Sequence, residues 1–187
     1  MQQPFFLNAG GNKKMKDGIM IWFGSANPFI QSITCSGDIT IHSTYNGIAT
    51  TETYSNLNNA AIAIRADINT EVYVEGDITG MSNMSSERKI IIHNTALTSL
   101  NCYSCLGLTE LNLSANTALT RLNCNSCNYV TNIYVRATKK SVAENISTLI
   151  QNAFSSNGTL HINSSDTYAS TISDAATAKG WTVKPLE

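Results

Sequence analysis

"NTALTSLNCYSC" (residues 94–105) and "NTALTRLNCNSC" (residues 116–127) differ at two positions of twelve, and each ends in a Cys-x-x-Cys pair. They belong to a gapless repeat of period 22 that aligns residues 94–115 with 116–137 and pairs Leu97 with Leu119, Leu100 with Leu122, Cys102 with Cys124, and Cys105 with Cys127. Half of that period is visible too. "LTSLNC", "LTELNL", "LTRLNC" and "VTNIYV" begin at Leu97, Leu108, Leu119 and Val130, eleven residues apart. In each hexamer the fourth and sixth residues are apolar and the fifth is polar (Leu100/Cys102, Leu111/Leu113, Leu122/Cys124, Ile133/Val135), the alternation of a strand with one buried face. Each 22-residue coil is therefore expected to carry two short strands, one per side. Such coils bury a continuous apolar column only by stacking, at about 4.8 Å, through backbone hydrogen bonds.

The same residues carry a family resemblance. "LTSLNCYSC" and "LTRLNCNSC" resemble the leucine-rich-repeat pattern L-x-x-L-x-L-x-x-N/C, and "NTALT…LNLSANTALT" is similar to the variant found in surface proteins of gut Bacteroidetes and in their phages. The match covers residues 89–137 and departs from the pattern where Leu108 and Val130 come one position late. It implies an α/β repeat, a leucine-rich-repeat-like β-solenoid, with an irregular β-rich N-terminal part and an α/β C-terminal cap.

The expected organisation has four parts: an extended arm over 1–18, irregular early coils or a β cap over 19–88, repeat coils over 89–137, and the cap over 138–187. In the cap, "SVAENISTLIQNAF" sets Ser141 and Glu144 at capping-box spacing and puts Val142, Ile146, Leu149, Ile150 and Phe154 on one helical face. A strand "GTLHIN", a helix over 166–179 stopped by Gly180, and a last strand "WTV" follow, in an order that suggests parallel pairing. "AKGWTV" is again similar to the end of the Bacteroidetes repeats. Earlier, "IMIWF", "DITIH", "AAIAI", "EVYV" and "KIII" read as strands, and "STYNGIATTETYSNLNN" from Ser43 as a long exposed loop. "SGDITI" and "EGDITG" echo each other. In the arm, Lys13, Lys14 and Lys16 accompany an apolar "PFF" that would be costly to leave in water, so docking on the chain itself or a neighbouring subunit is expected.

Only 13% of the 187 residues are charged, and the net charge is −1, which argues against a basic nucleic-acid binder and against acidic disorder. No apolar run approaches the roughly 20 residues of a membrane span, and the first residues do not order themselves as a signal peptide.

The spacing Cys102-x2-Cys105-x18-Cys124-x2-Cys127 fits a generic zinc pattern. Duplication of one coil creates the same spacing, however, and cysteine behaves as a small buried hydrophobe, so reduced scaffold thiols are the favoured reading, with zinc or disulfides as alternatives. Chemistry is otherwise thin. His42, His93 and His161 fall in or at the end of strands without a ligand partner, and Glu75 with Asp77 are better explained as a hydrophilic strand edge than as a calcium site. No phosphate loop or nucleophile elbow is present, and Tyr54, Tyr73, Tyr103, Tyr129 and Tyr134 do not fall at one coil position. The expectation is thus a non-enzymatic binding or structural module without cofactor or metal. Its partner would be a protein or a surface glycan, with capsid or tail proteins reached through the arm, and oligomers are compatible with it. The resemblance implies a virion component of a Bacteroidetes phage, such as a head decoration, fibre or tail adhesin. The alternative is a secreted bacterial cell-surface adhesion protein whose leader has been removed.

Overall fold

A computed structural model describes residues 18–24, 26, 28–84, 87–92 and 96–186. Apart from Gly18, the expected arm with its lysines lies outside the described residues, as does His93. Eight strands come first: β1 (Gly18–Phe23), β2 (Phe29–Cys35), β3 (Asp38–Tyr45), β4 (Ile48–Ser55), β5 (Ala60–Ala63), β6 (Glu71–Glu75), β7 (Ile78–Met84) and β8 (Glu87–Ile92). The repeat supplies β9 (Ser99–Asn101), β10 (Glu110–Leu113), β11 (Arg121–Asn123) and β12 (Asn132–Val135). The last part is α1 (Lys140–Asn152), β13 (Thr159–Ile162), α2 (Ala169–Lys179) and β14 (Thr182–Pro185).

These elements form a β-rich sandwich, which overturns the expected leucine-rich-repeat-like solenoid. A nine-stranded sheet runs β14-β13-β12-β10-β8-β1-β6-β3-β4 and faces a five-stranded sheet β11-β9-β7-β2-β5. The physical reason lies in the first half of the chain. There β1 pairs antiparallel with both β6 and β8, β3 with β4 and β6, and β2 with β5 and β7, so wide sheets replace a column of like coils. Both sheets change sense at consecutive strands. In the larger sheet β8 is antiparallel to β1 but parallel to β10, and in the smaller one β7 is antiparallel to β2 but parallel to β9.

From β7 onward the chain alternates between the sheets, which is how the eleven-residue half-period is used. Leu111 pairs in register with Ile90 and Ile133, and Leu122 with Leu100, so the period-two apolar residues of one coil lie over those of the next. Threonine hydroxyls tie the coils together outside the strands. Thr98 donates to the Thr79 carbonyl (3.0 Å), Thr120 to Thr98 (3.1 Å) and Thr131 to Thr109 (3.3 Å). At the strand ends Asn101, Asn112 and Asn123, eleven residues apart, each accept the backbone N–H two residues on, at 3.0, 3.0 and 3.2 Å. These Asx turns close each strand without help from a neighbour.

After β11 the smaller sheet stops and helices take its place. Helix α1 packs on β11 and α2, and α2 packs on β13 and β14, while β12, β13 and β14 continue the larger sheet in parallel register. Val142, Ile146, Leu149 and Ile150 are buried as the periodicity predicts, and Gly180 ends α2 in the left-handed region at φ 86°. Two details differ. Ser141 is not the N-cap; its hydroxyl donates to the Thr120 carbonyl at 2.7 Å, extending the threonine ladder into the helix. Phe154 lies beyond the helix and is 68% exposed, because its N–H is held by the Asn128 carbonyl at 2.7 Å in the turn of the preceding coil.

The expected loop from Ser43 is a hairpin instead. Its turn is Asn46-Gly47, with φ of 52° and 72°, the geometry that a two-residue connection needs to match strand twist. The Asp67 carboxylate accepts both turn N–H groups, at 2.8 and 2.9 Å. The echoed "GDIT" segments meet in space. The Ser36 N–H donates to the Asp77 carbonyl at 3.3 Å, and Gly76, at φ 128°, passes so close to Asp38 that a Cβ would sit 2.6 Å from its carbonyl oxygen. One apolar cluster, from Ile19 in the first strand to Trp181 near the end, fills the space between the layers.

Candidate functional site

All five cysteines are free thiols and buried. Cys35 stands apart from the rest: its thiol donates to the Gly37 carbonyl (3.1 Å) and accepts the Leu57 N–H (3.3 Å), an ordinary turn-closing role. The other four converge where the chain leaves β9 and β11. Backbone bonds carry the strand register into these turns, from Cys102 N–H to Asn123 O (2.8 Å) and from Ser104 N–H to Asn125 O (2.9 Å), so that one turn lies over the other. Ser104 and Ser126, each just before the second cysteine, adopt φ of 60° and 64°, a conformation uncommon outside glycine. The ligand atoms of Cys102, Cys105 and Cys127 all lie within 4.8 Å of one another; the Cys124 sulfur falls outside that mutual trio but is near enough to Cys102 to help raise its pKa. The Cys127 thiol also donates to the Cys102 carbonyl at 2.9 Å. Acidity is divided within the cluster. Thiols of Cys102 and Cys105 donating to Cys127 lower its pKa, whereas hydrogen bonding to Cys105, Cys124 and Cys127, together with burial, raises that of Cys102.

A second feature lies on the outside of the smaller sheet. Where α1 replaces the missing strand beside β11, a groove of about 300 Å³ opens, lined by Ser99, Leu100, Asn101, Thr120, Arg121, Leu122, Asn123, Ser141 and Asn145. The period stacks Ser99 beside Arg121 and Asn101 beside Asn123, and the first turns of α1 supply Ser141 and Asn145. Apart from two leucines, every lining side chain can form hydrogen bonds, and Arg121 carries the one charge. The repeat alone could have indicated the strand half of this lining; the helix half depends on where α1 docks.

A third feature is an edge of exposed apolar side chains at the turns that follow the thiols. Tyr103, Leu106, Tyr129 and Phe154 are each more than half exposed, and Tyr129 meets Phe154 edge to face at 5.1 Å. Tyr134 does not join them; it stacks on His161 at 4.1 Å on the outer face of the larger sheet. Tyr73 is buried and stacks with His42 at 5.9 Å. Tyr54, half-buried, donates to Glu52 at 2.6 Å, which together with burial pushes its pKa up to about 12. Glu75 pairs with His42 at 3.4 Å, while Asp77 lies outside β6, so the two carboxylates do not share a strand face. Comparisons with protein-family models, with curated proteins and with solved structures find no match. Among the described residues, no helix is long and apolar enough to cross a membrane.

Proposed function

We propose that this protein is a non-enzymatic binding and structural module of a Bacteroidetes phage particle, a head decoration, fibre or tail adhesin, that contacts a protein or surface-glycan partner through the groove beside α1. The groove's lining carries this reading. Asn, Ser and Thr side chains on a stiff sheet and a docked helix suit hydroxyl-rich or backbone-like partners, since little ordering is left to complete on binding. Its one charged side chain, Arg121, presents a planar guanidinium with hydrogen-bond donors and no acceptor. The setting on a phage particle rests on the repeat's resemblance and on the low charge of the chain.

The test has two arms. Antibodies raised against the chain are used on purified particles, and the recombinant protein is titrated against host cells and their isolated surface polysaccharide alongside an Arg121→Ala/Asn145→Ala variant. Labelled particles, with binding at least about tenfold weaker in the variant, are expected. Particles free of the chain, with label on bacterial cells instead, would move the protein to the cell-surface adhesion class. Binding that ignores the variant would sink the groove as the contact.

A further inference from the structure

The repeat offers an internal control for the four clustered cysteines, because each coil turns twice. On the side of the larger sheet, the positions eleven residues after Cys102 and Cys124 hold Leu113 and Val135, and the position eleven after Cys105 holds Asn116. Leu113 and Val135 are buried and apolar, and Asn116 is buried in its turn, where its carbonyl accepts the Leu119 N–H at 3.2 Å. The Leu108 and Val130 N–H groups bond in the same way to the carbonyls of Cys105 and Cys127, at 3.0 and 3.3 Å. The turn thus closes through its backbone with either residue, and neither packing nor turn closure requires sulfur. Only on the side of the smaller sheet are both positions cysteine in both coils, and only there do the side chains converge.

We infer that Cys102, Cys105 and Cys127, with Cys124 as the fourth ligand, form a structural site for a thiophilic d10 cation of the zinc class, which would clamp the two repeat coils together. Tetrahedral zinc–thiolate sites have Zn–S of about 2.3 Å and hence S–S separations of about 3.8 Å. Three sulfurs already within 4.8 Å of one another need shifts of only about 1 Å, within the reach of small χ1 changes, to meet that geometry. The left-handed serines at 104 and 126 precede the second cysteine of each turn, so the conformational cost falls where that cysteine must be aimed inward. Each ligating sulfur gives up its proton to solvent as the ion binds, so uptake strengthens as pH rises. The site is closed: all four cysteines are at most 1% exposed, which fits a structural ion taken up during folding rather than a catalytic one with an open position.

The test uses the full chain, expressed with added zinc and purified without chelator, with metal measured by elemental analysis and by native mass spectrometry. About one zinc per chain is expected. The comparison is Cys102→Val/Cys124→Val, chosen because Val135 fills the equivalent position in the next half-coil, so the variant should keep its far-ultraviolet circular dichroism while losing the metal. Cobalt added during refolding should give the wild type, but not the variant, the intense visible absorption of a tetrahedral thiolate complex. Metal-free wild type with four clustered thiols that titrate on unfolding, and a melting temperature indifferent to zinc during refolding, would overturn the site. Metal retained equally by the folded variant would overturn it as well.

Discussion

Up to β8 the sheets are built from antiparallel pairings, β1 with β6 and β8, β2 with β5 and β7, β3 with β4 and β6; every pairing of a later strand is parallel, and within the repeat the partners β10 with β12 and β9 with β11 are 22 residues apart. The two regions nonetheless share one core, and they turn corners by different means. The antiparallel half uses backbone conformations that only a few residues tolerate, as at Asn46-Gly47 and Gly76. The parallel half has such conformations too, at Ser104 and Ser126, but adds to them side-chain devices that recur along the coils, the threonine ladder and the asparagine-closed strand ends. A turn used once can be fitted individually, whereas a turn used repeatedly must be self-sufficient.

The sharpest way to break the antiparallel half is Gly76→Ala. Its Cβ would meet the Asp38 carbonyl at 2.6 Å, at a φ of 128° that L-residues avoid, and a loss of about 3 to 4 kcal/mol is expected by urea denaturation. Leu111→Ala tests the centre of the parallel half. The side chain is fully buried between Ile90 and Ile133, and about 3 kcal/mol should be lost, again by urea denaturation. A smaller loss would mean that β8 and β12 can close over the cavity.

Asp166→Ala probes the junction of the repeat with the helices. Its carboxylate accepts Arg136 Nε at 3.0 Å and Nη2 at 2.8 Å, and the Ala137 N–H at 2.8 Å, and about 2 kcal/mol at neutral pH is expected from these charge-assisted bonds. The Arg136 guanidinium, aided by the Ala137 N–H, holds the Asp166 pKa below its ordinary value, outweighing burial. The folded pKa therefore lies below the unfolded one. This part of the stability is complete above the unfolded value and disappears as pH falls through the folded value. Melting curves of wild type and variant should run parallel near neutrality and converge from about pH 5 downward. Curves that stay apart at the lowest pH would show that the loss is steric rather than electrostatic. The smallest effect is predicted for Gly47→Ala, where the left-handed turn costs about 1 kcal/mol but a Cβ would meet nothing within 4 Å, so thermal melting should move only slightly.

Periodicity by itself determined a good deal: the strands at residues 99–101, 110–113, 121–123 and 132–135, their parallel stacking in register, the apolar face of α1 and the stop at Gly180. Each of these is encoded by spacing within a few residues or by copies 11 and 22 apart. The hairpin at Asn46-Gly47, by contrast, reads from sequence as a loop, because the polar residues of β4 hide a strand that lies at the edge of its sheet. Only the tertiary structure decided that the coils join a two-sheet sandwich. Strand sense switches at β7 and β8 through pairings with β1 and β2, whose partners lie roughly 50 to 70 residues away in sequence, beyond anything a local pattern specifies. It also decided where function can reside. Arg121 and Asn145 line one groove because α1 docks in the place of a strand, and the sulfurs of Cys102, Cys105 and Cys127 converge because two turns lie over each other. The spacing of those cysteines is a property of the chain, but the distances between their sulfurs arise from side-chain directions that only packing fixes.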